Sequence, residues 1–162
     1  MTGERQKMLT LCVEDIVAAT GAQLIAGTAS TCVEKVVRDS REVGKGTLFV
    51  CFPGDRVDGN DFASASIEAG VAAVALTREA PAGLLSQAEA AGCAVLRAAG
   101  DDPTEFLLRL AAEWRRRNPQ WAVVGITGSV GKTTTKDMVS FGLRTCWRVH
   151  ATSGNYNNLV GV

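Results

Sequence analysis

The run Gly125-Ile-Thr-Gly-Ser-Val-Gly-Lys-Thr-Thr-Thr135 gathers the groups that hold a phosphate. Gly128 and Gly131 let the backbone turn tightly and aim N–H groups inward. A helix opening near Lys132 adds the positive end of its macrodipole. Thr127, Gly128, Ser129, Val130 and Gly131 then form a cradle. Lys132, the candidate catalytic residue, reaches the outer phosphates of a nucleoside triphosphate such as ATP. The hydroxyl of Thr133 is the candidate ligand for the Mg2+ that accompanies ATP, with Thr134 as the second choice for metal or phosphate. The spacing departs from the general phosphate-loop pattern, because the position five before Gly131 is Ile126, with glycines at 125 and 128 instead. That points away from an ordinary kinase or GTPase loop and toward the shorter form Thr-Gly-Ser-Val-Gly-Lys-Thr. A chance lysine at a helix start would not account for strand, glycines, lysine and hydroxyls in this order.

Three further polar stretches stand where a ligand could meet them. Asp39-Ser40-Arg41 leaves the end of an apolar run, and from composition alone it reads as a turn with an ion pair. Asp55 to Asp61 is a second polar loop containing Asp58-Gly59-Asn60-Asp61. The run Thr152 to Gly161 carries Asn155, Asn157 and Asn158, amides that suit a nucleotide or sugar without adding charge and that also suit an Asx-turn. His150, the one histidine, reads as a buried neutral side chain rather than a catalytic group.

The elements that position these residues follow from periodicity. Apolar positions 13, 16 and 17 recur at helical spacing and Gly21 stops the run. Leu24–Ala26, Cys32–Val37, Leu48–Phe52, Val71–Leu76 and Cys93–Leu96 read as strands. A capped helix begins near Phe62, and Leu84–Ala91 is a helix ended by Gly92. Alternation of strands and helices indicates an α/β fold class, a small α/β domain followed by the start of a parallel-sheet domain around the phosphate loop. The boundary falls at Gly100-Asp-Asp-Pro103, where Asp102 caps and Pro103 opens a helix with Phe106, Leu107, Leu110, Ala111 and Trp114 on its apolar face. Arg115, Arg116 and Arg117 then match the negative end of its dipole. Beyond it, Trp121–Ile126 and Trp147–Ala151 read as parallel strands joined by a crossover helix whose Met138, Val139, Leu143 and Cys146 pack on the first of them. The expected domains are residues 1–100 and 101–162.

Composition narrows the class. Seventeen basic and seventeen acidic residues give a net charge of zero, with 46% hydrophobic and 21% charged residues among the 162. This argues for a globular protein without a nucleic-acid or membrane surface. No apolar run approaches the ~20 residues of a membrane span. Five cysteines, Cys12, Cys32, Cys51, Cys93 and Cys146, stand singly, and are expected as reduced, mostly buried thiols of a cytoplasmic protein.

Together, Asp39-Ser40-Arg41, Gly46-Thr-Leu-Phe-Val50, Asp58-Gly59 before Phe62, the run Thr127–Lys136 and the run Thr152–Gly161 resemble the Mur ligases, in order along the whole chain. The resemblance implies an ATP-dependent amide ligase of peptidoglycan synthesis. Residues 1–100 would hold the uridine-diphosphate end of the substrate, with Ser40 and Arg41 in that contact. Asn155, Asn157 and Asn158 join the substrate-binding set. They favour the family member that uses UDP-N-acetylmuramoyl-tripeptide and D-alanyl-D-alanine. ATP and Mg2+ are the implied cofactors, and a monomer is expected. Family members continue with a further part that supplies a magnesium-binding glutamate, a carbamylated lysine, a histidine ligand and a C-terminal domain. A chain stopping at Val162 is therefore expected to have no ligase activity alone. Two alternatives stay open: another ligase of the superfamily, of the third-residue-adding or folylpolyglutamate type, or a non-catalytic nucleotide-binding module.

Overall fold

In the computed structural model, which describes residues 10–54, 57–100 and 102–152, every assigned strand lies in the first of two units, the one that ends at Glu113. The second unit begins at Trp114. In the first unit β1 (Leu11–Cys12) leads into helix α1 (Val13–Thr20), followed by β2 (Gln23–Ala26), β3 (Cys32–Val33), β4 (Lys35–Val37) and β5 (Thr47–Val50). Helix α2 (Ala63–Glu68), β6 (Ala73–Leu76), α3 (Leu84–Ala91), β7 (Ala94–Arg97) and α4 (Pro103–Arg117) complete it, α4 running on past Glu113. β1 pairs antiparallel with β3, while the main sheet has the order β2-β7-β6-β5-β4, with β4 to β7 mutually parallel and β2 antiparallel at the edge.

The parallel strands form because their sequences are apolar at successive positions, and a parallel sheet buries both faces. Val37, Phe49, Cys51, Val74, Leu76, Cys93 and Val95 share one core with Ala63 and Ile67 of α2 and Leu84 and Ala88 of α3. The alternate residues Leu48, Val50, Ala73, Ala75, Ala94 and Leu96 are equally buried. The strand and helix assignments read from residues 13–97 hold to within a few positions, with Glu34 breaking the run Cys32–Val37 into two strands. Asp102 caps α4 as expected, accepting from the Thr104 N–H at 2.8 Å. Phe106 and Leu110 are buried, whereas Ala111, placed on the same face by periodicity, is exposed. Arg115 meets the helix end as its dipole requires, donating to the Asn118 carbonyl at 2.6 Å.

The second unit departs from the expectation. Neither Trp121–Ile126 nor Trp147–Ala151 forms a strand, because neither run has a pairing partner among the described residues, and an apolar run without a ladder has nothing to hold it extended. The helix is present: α5 runs from Lys132 to Leu143. Its apolar side chains do not pack as periodicity suggested, since Met138 is 70% exposed and Phe141 79% exposed, and Val139, Leu143 and Cys146 are exposed too. Ser140 is its buried residue. His150, expected to be buried, is exposed. The turn before the loop is better fixed: the Asn118 side chain donates to the Trp114 carbonyl at 2.8 Å, and the rings of Trp114 and Trp121 meet at 6.4 Å.

Candidate functional site

Four parallel strands pointing the same way put four loops at one edge of the first unit's sheet. In open α/β sheets this carboxyl edge is where ligands bind. β4 delivers Asp39, Ser40 and Arg41 there, β5 delivers the segment from Cys51 toward Asp61, and β6 delivers Thr77 and Arg78. Residues 40–42 form a single 3-10 turn. The Asp39 carboxylate caps it by accepting from the Arg41 N–H at 2.9 Å, and also from the Arg41 guanidinium at 2.9 and 2.5 Å. Arg41 side-chain and backbone hydrogen bonds hold the Asp39 carboxyl down at about 2. The ion-pair turn anticipated from composition is therefore present. Arg41 is nonetheless 86% exposed, with donors left for a ligand.

The loop after β5 is held by residues that periodicity did not single out. Asp58 caps a second 3-10 turn through the Asn60 N–H at 2.8 Å. The buried Asn60 amide then donates to Asp58 at 2.7 Å and to the Thr77 hydroxyl at 2.9 Å, and accepts from the Thr77 N–H at 3.1 Å. Arg78 closes the arrangement by pairing with both Asp58, at 2.8 Å, and Asp61. Hydrogen bonds from Asn60, then the nearby Arg78 charge, lower the Asp58 carboxyl below the usual range. Gly59 is required by space, since a Cβ there would lie 2.6 Å from the Phe52 nitrogen. Polar residues immediately after a buried strand, Thr77 and Arg78, were the signal available in the sequence.

In the second unit the loop before α5 carries its own geometry. Gly128 has φ +153° and Gly131 φ +80°, both in the region that favours glycine. Gly131 is the N-cap of α5 and supplies no side chain to cap it. Its carbonyl accepts from the Thr135 N–H at 2.8 Å, as the first bond of the helix. The N–H groups of Lys132, Thr133 and Thr134 precede that bond and have no intrahelical acceptor. Lys132 folds back so that its ammonium donates to the Gly128 carbonyl at 2.6 Å. Thr127, Ser129, Val130, Thr133 and Thr134 are exposed. Of the residues singled out in the sequence, the loop brings Lys132 onto Gly128 across Gly131, while Thr133 stands exposed in the first turn of α5. Asn155, Asn157 and Asn158 lie outside the described residues.

Thr133 offers a single uncharged oxygen. Among the described residues no group of three or more His, Cys, Asp and Glu side chains could hold a metal by itself. That donor set fits Mg2+ carried by phosphate oxygens and water, and does not fit a metal held by the chain alone. A shallow pocket of about 330 Å³ lies farther along α5, lined by Lys136, Asp137, Ser140, Phe141, Arg144, Ala151 and Thr152. Lys136 spans it, donating to the Thr152 carbonyl at 2.6 Å.

Comparison with known proteins agrees with both units. Residues 33–115 match the family described as "Mur ligase family, catalytic domain", and residues 126–162 match "Mur ligase middle domain". The UDP-N-acetylmuramoyl-tripeptide–D-alanyl-D-alanine ligase of Bacillus subtilis is 36% identical over 87% of this chain and 30% of its own length. The UDP-N-acetylmuramoyl-L-alanyl-D-glutamate–2,6-diaminopimelate ligase of Synechococcus is 34% identical over 93% of this chain and 30% of its own length. Among solved structures, MurF from Acinetobacter baumannii superposes with a TM-score of 0.79 at 27% identity, over 95% of this chain and 32% of that one. MurF ligase from Thermotoga maritima, in complex with ADP, has a TM-score of 0.61 at 30% identity over 78% of this chain and 27% of that one. The chain thus spans about 30% of the length of the relatives it matches. Since one of the matching families covers residues 33–115, about half of the sequence, the chain belongs to the Mur ligase family.

Proposed function

We propose that this chain supplies two sites of an ATP-dependent ligase that joins D-alanyl-D-alanine to UDP-N-acetylmuramoyl-tripeptide. Residues 1–100 hold the uridine-diphosphate end of the substrate at the sheet's carboxyl edge, and residues 101–162 hold the phosphates of ATP. The observation that carries this reading is the turn at 128–132, where two glycines at positive φ lead straight into an uncapped helix with Lys132 folded over them. Such a turn suits an anion, because backbone N–H groups without acceptors, a helix dipole and an ammonium are gathered within a few residues.

In this reading a carboxylate oxygen of the tripeptide attacks the γ-phosphorus of ATP, and ADP leaves. The amine of D-alanyl-D-alanine then attacks the acyl carbon, and inorganic phosphate leaves. Both reacting partners of the first step are anions. Lys132 and the N–H groups of residues 128–134 offset that repulsion, and Thr133 gives an oxygen to Mg2+, whose charge would further neutralise the phosphates. Ser40 and Arg41 contact the diphosphate of the other substrate, Arg41 through guanidinium donors beyond those used on Asp39. Asn155, Asn157 and Asn158 extend the substrate contact. The same arrangement would serve a ligase adding 2,6-diaminopimelate, a reading favoured by the Synechococcus relative.

Calorimetric titrations of UDP and of ATP with Mg2+ test the assignment. Arg41→Ala should weaken UDP and leave ATP unchanged, and Lys132→Ala should do the reverse. Equal damage to both ligands from Arg41→Ala would reduce Arg41 to a structural ion pair.

A further inference from the structure

We propose that Cys12 and Cys32 form a paired oxidation site, at which hydrogen peroxide closes a cross-strand disulfide between the start of α1 and strand β3. Neither thiol has a part in the nucleotide sites described above. Strand register carries the argument. β1 and β3 are antiparallel, with Leu11 opposite Val33 and Cys12 directly opposite Cys32. Residues directly opposed in an antiparallel pair project to the same face. The next position is hydrogen-bonded, the Val13 N–H donating to the Thr31 carbonyl at 3.0 Å. Cys12 and Cys32 therefore occupy a non-hydrogen-bonded pair, where Cα atoms lie about 4.5 Å apart and side chains approach most closely. A disulfide needs a Cα separation of about 4.4–6.8 Å, so the bond closes without moving either strand.

The backbone on both sides is held in place. The Cys12 N–H donates to the Asp15 carboxylate at 3.1 Å, and the Glu14 N–H to the Ala29 carbonyl at 2.9 Å. The Cys32 thiol donates to the Ser30 carbonyl at 3.7 Å, two residues back along the chain. Cys32 is exposed and meets the oxidant first. Cys12 is partly buried, and burial, followed by the neighbouring Cys32, raises its pKa, so its attack on the oxidised Cys32 is the slower of the two steps. In the first step the Cys32 sulfur takes one oxygen of peroxide, the O–O bond breaks, and the other oxygen leaves as water. In the second the Cys12 sulfur attacks the sulfenic sulfur, the S–O bond breaks, and a second water leaves. The remaining cysteines behave differently. Cys51 and Cys93 are buried in the sheet, their thiols pushed up to about 12 and about 11 by burial. Cys146 is exposed, with the Thr145 hydroxyl rather than a thiol beside it. The bond would close a ring around α1 and β2, just ahead of β4 and the Asp39-Ser40-Arg41 corner.

Peptide mapping of the 162-residue chain tests this. The chain is treated with peroxide, free thiols are alkylated, and the digest is analysed by mass spectrometry without reduction. The expected product is one cross-linked pair of peptides containing Cys12 and Cys32, lighter by two hydrogens than the separate thiols and released by dithiothreitol. The unfolding midpoint of the first unit should rise by an amount on the order of 10 °C. Cys12→Ser and Cys32→Ser should each remove both effects. Full alkylation of Cys12 and Cys32 under conditions that oxidise Cys146, or linkage of either to Cys146, would overturn the proposal.

Discussion

Phe49 and Phe141 are the same side chain in opposite circumstances: Phe49, in the first unit's sheet, is 1% exposed, and Phe141, on α5 of the second, is 79% exposed. The first unit closes its core on both faces of five strands. The second offers a helix whose three successive threonines are indifferent helix formers and whose apolar side chains mostly face outward. Their candidate sites differ accordingly. The corner at Asp39–Arg41 and the loop at Asp58–Asp61 depend on the sheet that brings β4, β5 and β6 to one edge. The phosphate turn at 128–132 depends on two glycine dihedrals and a helix start, which lie within a few residues of one another.

Core substitutions should separate the units most widely. Phe49→Ala should lower the stability of the first unit by about 3–5 kcal/mol in denaturant unfolding, whereas Phe141→Ala should stay within about 0.5 kcal/mol. Comparable losses would mean that the second unit has a core of its own. Asn60→Ala comes next, at about 1–3 kcal/mol, because it leaves the buried Thr77 N–H without its acceptor. An unchanged unfolding midpoint would show that the loop after β5 does not need that bridge.

Most of this contrast was legible in residues 13–117 and little of it afterwards. Continuous apolar runs such as Leu48–Phe52 read as strands because their partners lie within the same stretch, so local pattern and tertiary pairing agree. Trp121–Ile126 carries the same signal without a partner among the described residues, and the pattern alone could not distinguish the two. The phosphate turn was legible because glycine spacing dictates it locally. Asn60, Thr77 and Arg78 were not, since their roles rest on contacts between loops that sequence separates.

Smaller effects should stay within one unit. Lys132→Ala should weaken ATP at least tenfold, about 1.4 kcal/mol, without moving the first unit's unfolding. Thr133→Ala should keep the ATP contact and lose part of its Mg2+ dependence. Smallest is the acid effect at Asp39. Its carboxyl is depressed to about 2 in the folded chain, so its contribution is present above the ordinary carboxylate range and fades as pH falls from about 4 to about 2. An NMR titration should show that midpoint return toward the ordinary value in Arg41→Ala, and an unaltered midpoint would remove Arg41 as its cause.

Hydrogen exchange on the 162-residue chain, alone and with millimolar UDP or ATP with Mg2+, tests the division of labour most directly. The account predicts slow exchange in β5, β6 and β7 and faster exchange after Asn118. UDP should add protection around residues 39–42, and ATP around residues 128–135. Uniform protection through Val149 without ligand, or ATP protection at residues 39–42 in place of 128–135, would contradict it.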